Sequence, residues 1–372
     1  MEPRNAMQVM DGNSAAAEAI KQVKPDVMVA HPVSSAAAML EKIASFTANG
    51  CLGTEFVNVE SWPSAMGCCI GASTAGGRVF TVTDSLGLAQ MHAMLRTAAS
   101  LRLPIVLGIA DPFSTPDCGW IQLFCDDPQE IYDNVIQAFR IAEHLEIRLP
   151  VMVHMEGEMA SQTQLLIEAD REIDSFVGKF TPTHSIIDTD LPPHTGAFDV
   201  READEPDRLH AFENARAIIR EVGKEFGDRF GRYYAYFDSY KLEDADVAIV
   251  VMNPGSQHVK EAVKHCRDEG ERVGLLKLRV FRPFPYPELR ERLRGLTAIT
   301  VIDRTVSPGM NGGTLFNEIR SALYDCPESS RPAVFSFISG THGHDLGVDD
   351  FKRIFKEMIT RPAKNGKEER ER

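Results

Sequence analysis

The sequence has no apolar run approaching the roughly 20 residues that a membrane-spanning helix needs. Its N-terminus, MEPRNAMQVMDGNS, also lacks the apolar core of a signal peptide. Lys and Arg are not clustered before the last stretch, and the formal charge is −14. Nucleic-acid and anionic-membrane surfaces require clustered basic residues. The sequence therefore predicts a cytoplasmic protein that binds neither nucleic acid nor a membrane.

Motifs for metal and nucleotide binding are absent as well. The seven cysteines show no CxxC or ferredoxin-type spacing, so any iron–sulfur cluster must lie on another chain. His342 and His344 stand two residues apart in a Gly-rich stretch, which is more typical of a turn than of a metal site. No G-x-x-x-x-G-K-[ST] phosphate loop occurs. We therefore expect no metal on this chain.

The chain does have a regular alternation of short apolar runs and longer amphipathic runs, which is typical of βαβ units around a parallel sheet. The predicted strands are Asp26–His31, Glu55–Glu60, Arg78–Thr83, Pro104–Ala110 and Pro150–His154. The predicted helices are Ala36–Phe46, Ser64–Thr74, Leu86–Leu101 and Asp127–His144. The glycines of residues 71–77 follow a helix, so they predict a helix C-cap and not a dinucleotide-binding turn.

The same alternation predicts two α/β domains, and 372 residues are an ordinary length for two. We place the first domain at residues 1–165 and a connecting segment, with a helix at Leu209–Phe230, at 166–240. The second domain covers 241–360, with strands at Asp246–Met252, Arg272–Phe281, Ala298–Asp303 and Ala333–Ile338. Residues 361–372 are charged and lack large apolar side chains, which predicts a disordered tail.

Long motifs in both domains resemble those of the 2-oxoacid:ferredoxin oxidoreductases, the family of pyruvate:ferredoxin oxidoreductase, and in particular those of the alpha subunit. The first domain carries MDGNSAAAEAI, VNVESWPSAMGCCIGASTAGG, CGWIQLFCDDPQEIYDN and RLPVMVHMEG. The second carries LLKLRVFRPFP, TVIDRTVSPGMNGGTLFNEIRSALYD and VFSFISGTHGHDL. The resemblance implies an α/β fold: a doubly wound parallel-sheet domain of the pyrimidine-binding, thiamine-diphosphate type, then a transketolase C-terminal-like α/β domain.

The resemblance also implies a reaction and a set of partners. The family oxidatively decarboxylates a 2-oxoacid with coenzyme A, giving acyl-CoA, CO₂ and reduced ferredoxin. Where the subunits are separate, the alpha chain shares thiamine diphosphate with a beta-type chain that carries the Mg²⁺-diphosphate clamp. Gamma and ferredoxin-like delta chains complete the complex, and the iron–sulfur clusters lie on partner chains. This sequence lacks the clamp, a G-D-G element followed by Asn-Asn, as that arrangement implies.

One position departs from the family's catalytic pattern. The family's glutamate, which drives the aminopyrimidine of the cofactor to its imino form, is third in an E-S-E-H-like run. Here the run is Glu60-Ser61-Trp62-Pro63, and the indole of Trp62 is a donor only. Glu60 is the candidate catalytic replacement, although its Cα would lie about 6–7 Å away along a strand. The alternative is that Glu60 positions the strand-to-helix junction.

Three serines complete the candidate site. By resemblance, Ser61 and Ser85 join Trp62 as cofactor-binding positions. Ser34 stands where the family has a threonine hydroxyl at the substrate or cofactor, so it is a candidate for both catalysis and substrate binding. The alternative is that Ser34 or Ser35 caps the following helix.

The substrate position departs from the family too. The family's arginine, which holds the 2-oxoacid carboxylate, is replaced by Pro112, and the neighbouring Asp111 would repel an anion. In the second domain, Arg282, Arg304 and the helix start at Asn311 are candidate anion contacts, with a structural role as the alternative. These departures leave two hypotheses: a working subunit with an atypical site, or a non-catalytic paralogue that keeps the fold to assemble such a complex.

Overall fold

The chain divides into two compact units, Met1–Ala235 and Tyr236–Arg372. The computed structural model describes residues 6–32, 34–110, 117–155, 162–192, 205–252, 255–306, 309–339 and 346–360. The predicted tail and the pair His342 and His344 lie outside the described residues. The boundary between the units falls inside the predicted connecting segment, whose residues up to Ala235 belong to the first unit.

The first unit contains a parallel sheet and a separate two-stranded ribbon. Its described strands are β1 (Ala6–Met10), β2 (Val27–Ala30), β3 (Glu55–Asn58), β4 (Val79–Thr83), β5 (Ile105–Ile109), β6 (Ile121–Phe124), β7 (Val151–His154) and β8 (Thr163–Ile167). β1 and β8 form the antiparallel ribbon. The other six lie in the order β3-β2-β4-β5-β7-β6, and every neighbouring pair among them is parallel. The predicted parallel sheet is confirmed, although the sequence analysis missed β1, β6 and β8.

Helices cover both faces of this sheet. The described helices are α1 (Gly12–Val23), α2 (Ala37–Ala48), α3 (Trp62–Thr74), α4 (Ser85–Gln90), α5 (His92–Ser100), α6 (Pro128–Ala142), α7 (Asp170–Val177) and α8 (Glu205–Phe230). Phe80 and Thr81 are consecutive in β4, so their side chains point to opposite faces. Phe80 contacts Phe139 of α6, whereas Thr81 contacts Cys69 of α3. The first unit is therefore doubly wound, as predicted.

Two details of the helices test the sequence analysis. The single helix predicted at Leu86–Leu101 is wrong, because the chain leaves helical geometry at Met91, a buried residue between α4 and α5. The C-cap predicted for the glycine-rich stretch is confirmed. Gly76 has a φ of +94° and donates to Ser73 O, while Gly77 donates to Ala72 O. These two bonds form a Schellman motif, which needs glycine in the left-handed conformation.

A buried ion-pair network joins the last residues of the first unit to α6 and to Glu168, the residue after β8. Arg232 donates two hydrogen bonds to Asp133, at 2.6 and 2.8 Å, and one to Glu168, at 2.8 Å. The Tyr234 hydroxyl donates to the same Asp133 at 2.6 Å. Burial raises the pKa of the Asp133 carboxyl, and its bonds to Arg232 oppose that rise. Because both carboxylates are fully buried, the network depends on Arg232 for its charge balance.

The second unit has its own sheet. Its described elements are β9 (Phe237–Tyr240), β10 (Val247–Val251), α9 (Ser256–Asp268), β11 (Val273–Leu278), β12 (Val280–Arg282), α10 (Tyr286–Leu293), β13 (Ala298–Asp303), α11 (Thr314–Tyr324), β14 (Ala333–Ile338) and α12 (Val348–Thr360). The order is β14-β13-β10-β11-β9, and only β9 among these strands runs antiparallel to its neighbour. α9 and α12 pack on this sheet.

The single strand predicted at Arg272–Phe281 is wrong in one respect. It divides at Arg279, where the N–H groups of Arg279 and Val280 both bond to Tyr236 O. None of the helices in the described ranges combines the length and the apolar content that crossing a bilayer demands.

The Arg232 network predicts a large effect on stability. Asp133→Ala leaves a half-buried guanidinium without its main partner, so we expect the free energy of unfolding to fall by about 3–5 kcal/mol. The exposed pair Lys224–Asp228 on α8 is the matched control, because Lys224→Ala should cost less than about 1 kcal/mol. Denaturant midpoints of the full chain provide the measurement. Equal losses in the two variants would contradict the role given to the network.

Candidate active site

The topology of the first sheet defines where a ligand would be expected. β2 lies between β3 and β4, and the chain passes first to β3 and then back to β4 on the other side. Connections that leave neighbouring parallel strands in opposite directions open a crevice outside their carboxyl ends. This switch point lies between the carboxyl ends of β2 and β4. The residues that follow β2, β3 and β4 surround it.

Trp62, the first residue of α3, occupies this crevice. α3 follows β3, yet the indole reaches the ends of both β2 and β4. Its ring lies edge-on to His31, with centroids 4.4 Å apart and planes at 73°. On the other side it lies against Gly87 of α4. Only 6% of Trp62 is exposed, so the chain's own residues cover the indole almost completely.

Gly87 shows how closely the indole is packed. A Cβ atom at Gly87 would lie 2.7 Å from Trp62 Cδ2 and 1.9 Å from Thr83 Oγ1. Both distances are shorter than van der Waals contact allows, so any larger residue would displace its neighbours. Asp84 fixes the start of α4 by accepting the Gly87 N–H at 2.8 Å. Trp62, Thr83 and Gly87 therefore form one packing unit.

His31 follows β2 and forms the remaining wall. Its Nδ1 lies 3.1 Å from Val59 O, and because a carbonyl only accepts, Nδ1 must carry the proton of this bond. The bond holds the imidazole against the edge of the indole. Neither His31 nor Gly87 has a role predicted from the sequence. The signal for His31 was its place directly after a strand, whereas nothing in the sequence pointed to Gly87.

Glu60, the predicted catalytic residue, is exposed and engaged with α3. Its Oε1 accepts the Ser64 hydroxyl at 2.6 Å, and this bond is the main cause that lowers the pKa of the carboxyl below its ordinary value. A lowered pKa keeps the group ionised near neutral pH. That is the wrong direction for an acid that must share a proton with a ring nitrogen.

The serines stand at the starts of three different elements. Ser61 is the N-cap of α3, and its Oγ accepts the Ser64 N–H at 3.3 Å. Ser34 is exposed and begins a 3₁₀ turn that ends at Ala36. The alternative that Ser34 or Ser35 caps the next helix is wrong, because the N-cap of α2 is Ala36 and no side chain bonds there.

The remaining predicted site residues are Ser85, Asp111 and Pro112. Ser85 is half-buried and opens α4, next to the packing unit. Asp111 and Pro112 lie outside the described residues. Of the predicted site residues, the structure thus brings Trp62 and the start of α4 together and turns Glu60 towards Ser64.

The end of β7 holds a residue that the sequence analysis missed. His154 is fully buried, and its ring stacks on Phe124 at 4.0 Å with planes 6° apart. Neither ring nitrogen has a hydrogen-bond partner among the described residues. Burial alone lowers the pKa of this imidazole to about 3, so it is neutral at physiological pH. The periodicity of the sequence does not signal such a residue, because histidine occurs both in hydrophobic cores and in active sites.

The candidate anion contacts of the second unit have structural roles. Asp303, at the end of β13, accepts the N–H groups of Leu315 and Phe316 at 2.8 and 3.0 Å. These two donors belong to the first turn of α11, so a carboxylate of the chain already binds the helix start. Arg282 forms an ion pair with Glu318 at 2.7 Å. We therefore favour the structural alternative for this region.

Comparison with known proteins decides the family. A profile described as pyruvate:ferredoxin oxidoreductase core domain II matches residues 245–351. A second, described as the thiamine-diphosphate-binding domain of pyruvate flavodoxin/ferredoxin oxidoreductase, matches residues 18–112 and 109–224. The chain belongs to the 2-oxoacid:ferredoxin oxidoreductase family. It corresponds to the alpha subunit, as its closely matching relatives show.

Those relatives cover nearly the whole chain. Pyruvate synthase subunit PorA of Thermotoga maritima is 36% identical over 368 residues, which is 94% of this chain and 93% of that protein. Ketoisovalerate oxidoreductase subunit VorA of Pyrococcus abyssi is 38% identical over 385 residues, covering 98% and 96%.

Solved structures agree in fold. A 2-oxoglutarate:ferredoxin oxidoreductase from Magnetococcus marinus has a TM-score of 0.72 at 18% identity, over 97% of this chain and 66% of that one. A split-gene transketolase, an inactive beta4 tetramer, has a TM-score of 0.56 at 13% identity, covering 94% and 98%. At these identities the likeness shows the fold alone.

The residues at the switch point do not fit the aminopyrimidine ring of the family's cofactor. The ring requires an acid beside it, and position 62 supplies a donor-only indole instead. It also requires space, and the indole of Trp62, only 6% exposed, lies there against His31 and Gly87. The predicted replacement acid, Glu60, is bonded to Ser64. We derive no catalytic step through the cofactor on this chain.

The packing of Trp62 predicts a strong dependence of stability on its side chain. Trp62→Ala removes a nearly fully buried indole, so we expect the free energy of unfolding to fall by about 3–5 kcal/mol. Leu86→Ala, one residue before Gly87, is the matched control, because Leu86 is 64% exposed and should matter by less than about 0.5 kcal/mol. Denaturant unfolding of both variants measures the difference. Similar small losses would show an open crevice and not a filled one.

His154 predicts an acid-sensitive stability. Its pKa is about 3 in the folded chain and ordinary in the unfolded one, so below pH 6.5 the unfolded state binds a proton that the folded state does not. Stability should therefore fall with decreasing pH by up to about 1.4 kcal/mol per pH unit between 6.5 and 3. His154→Leu should remove this contribution, whereas the exposed His92→Gln should not. Unfolding midpoints measured from pH 7 to pH 5 in the three proteins test it. Parallel curves would contradict the burial of a neutral imidazole.

Proposed function

We propose that this chain is the alpha-type subunit of a cytoplasmic, multisubunit enzyme that oxidatively decarboxylates a 2-oxoacid to acyl-CoA, with thiamine diphosphate as cofactor and ferredoxin as electron acceptor. The full-length match to subunits of pyruvate synthase and ketoisovalerate oxidoreductase carries this proposal. The parallel sheet with its switch point supports it, because that sheet is the scaffold on which such a site is built.

The proposal assigns the remaining parts of the enzyme to other chains. A beta-type subunit would hold Mg²⁺ and the diphosphate, since the sequence of this chain has no G-D-G and Asn-Asn clamp. The iron–sulfur clusters would lie on partner subunits, since the cysteines here have no cluster spacing, and gamma and ferredoxin-like delta chains would complete the complex. Five of these seven cysteines are buried in the fold.

A second candidate function is favoured by one observation. Trp62 fills the switch point, which favours a non-catalytic paralogue that keeps the fold in order to assemble the complex. In the first candidate, Glu60 and Ser34 take part in catalysis, with Ser61, Ser85 and Asp111 near cofactor or substrate. In the second, none of these side chains affects the reaction. The two candidates share the same complex and differ in what this chain does there.

The test begins with the complete complex. The chain is co-produced with the chains encoded beside it, and the purified complex is assayed for thiamine diphosphate, iron and sulfide. Coenzyme A-dependent reduction of a viologen dye is then measured with pyruvate, 2-oxoisovalerate and 2-oxoglutarate. We expect bound thiamine diphosphate and turnover of at least one of these acids. A complete complex that contains no thiamine and oxidises none of them would refute the proposed activity.

Two variants of the same complex separate the candidates. Both Glu60 and Glu55 are exposed, so Glu60→Gln and Glu55→Gln form a matched pair in which folding and assembly should be unchanged. If Glu60 transfers a proton, only Glu60→Gln should lose activity, by about 10²–10⁴-fold. If the chain serves assembly, both variants should retain the activity of the parent complex.

A further inference from the structure

We infer that Trp62 is an internal plug: the chain's own indole fills the switch-point crevice of the first unit and excludes an aromatic ring of cofactor or substrate from it. The indole stands where the proposed function would place a cofactor. The plug rests on the proposed function in one respect only: its test uses the complex that the proposed function predicts. It assigns Trp62 a packing role where the family has a reacting group.

Trp62 stands where a sheet of this kind binds its ligands. In an open, doubly wound sheet the crevice outside the carboxyl ends at the switch point is the one that binds ligands. Trp62 belongs to the segment after β3, but it contacts His31 after β2 and Gly87 after β4. It therefore spans the crevice from one side to the other.

The chain itself covers the indole of Trp62. A residue that forms the wall of a binding site exposes one face when the ligand is absent. Trp62 is only 6% exposed in the chain by itself, without any partner or ligand. His31, Thr83 and Gly87 already surround the ring, so a second ring could reach it only by displacing it.

The start of α3 anchors the backbone of Trp62. Trp62 and Pro63 are the first two residues of α3, and Ser61 caps the helix by accepting the Ser64 N–H. Proline at this position fixes the backbone dihedral φ in the helical range. The Trp62 backbone is therefore held at both sides, and only a change of side-chain rotamer could clear the crevice.

A cofactor ring in this crevice would also need polar partners. A ring with several nitrogens needs hydrogen-bond partners in a covered site. The Nδ1–H of His31 donates to Val59 O, and the Ser61 hydroxyl oxygen accepts the Ser64 N–H. The Glu60 carboxylate accepts the Ser64 hydroxyl. Each of these three groups thus already serves the local fold.

The test locates the cofactor relative to Trp62 in the assembled complex. Hydroxyl-radical labelling with mass spectrometry reads the oxidation of Trp62, with Trp120 as an internal control, because Trp120 is only 1% exposed and bonds to Leu95 O. The complex is labelled with and without added thiamine diphosphate and Mg²⁺. We expect Trp62 to be nearly as protected as Trp120 and its oxidation to be unchanged by the cofactor.

Variants give a second, independent measurement. Trp62→Ala and Trp62→Phe are assembled into the complex, and the apparent dissociation constant of thiamine diphosphate is measured for each. A plug predicts that truncation leaves this constant unchanged or lowers it. A wall that stacks on the cofactor predicts weaker binding by about tenfold or more. Trp62→Phe keeps most of the packing, so the comparison survives if Trp62→Ala does not assemble.

The outcomes separate this inference from the proposed function. Protection of Trp62 by the cofactor, or a tenfold weaker binding in either variant, overturns the plug even if the complex is active. An active complex in which Trp62 is unaffected supports the plug and the proposed function, with the cofactor bound away from this crevice. A complex without thiamine or turnover, but with Trp62 protected, refutes the proposed function and supports the plug.

Discussion

The parallel pairing of β2 with β3 and β4 is the constraint on which the arrangement of the site depends. Parallel strands bring all their carboxyl ends to one edge, so three loops that are far apart in sequence meet there. β2 also separates the two directions of winding, which opens the crevice beside it. The position of Trp62 is a consequence of this pairing, and its contacts are a consequence of its size.

The sequence predicted the scaffold better than the site. Strands such as β4 and β5 are buried and consist almost entirely of β-branched or apolar residues, so they are visible as runs, whereas the four residues of β6 include a buried Gln122 that breaks the pattern. The helix break at Met91 has no signal, because neither proline nor glycine marks it. The departure at Trp62 was also visible in the sequence, since it depends only on identity at one place in a motif.

The contacts of the site could not be predicted, because polar side chains near a helix start have two competing uses. Ser61 and Glu60 stand in a motif that suggests catalysis, yet both bond to Ser64 in the first turn of α3. Free N–H groups at a helix start bind any nearby acceptor, and the nearest acceptors belong to the chain itself. Sequence spacing identifies the candidate residues, but it does not show whether they take part in catalysis or bond to the helix start.

A physical reason follows for the tryptophan at position 62. A carboxylic acid in a covered crevice is unfavourable unless a ligand or a buried donor bonds to it. An indole needs only apolar surroundings, and it gains stability from the same burial that an acid would lose. The motif resemblance implies an acid at this place in the family; an indole here makes the crevice stable without a bound ring, provided that Gly87 keeps its place beside it. Because the chemistry there depends on single side chains, similarity along the whole chain identifies the fold and the family but not the chemistry at the switch point.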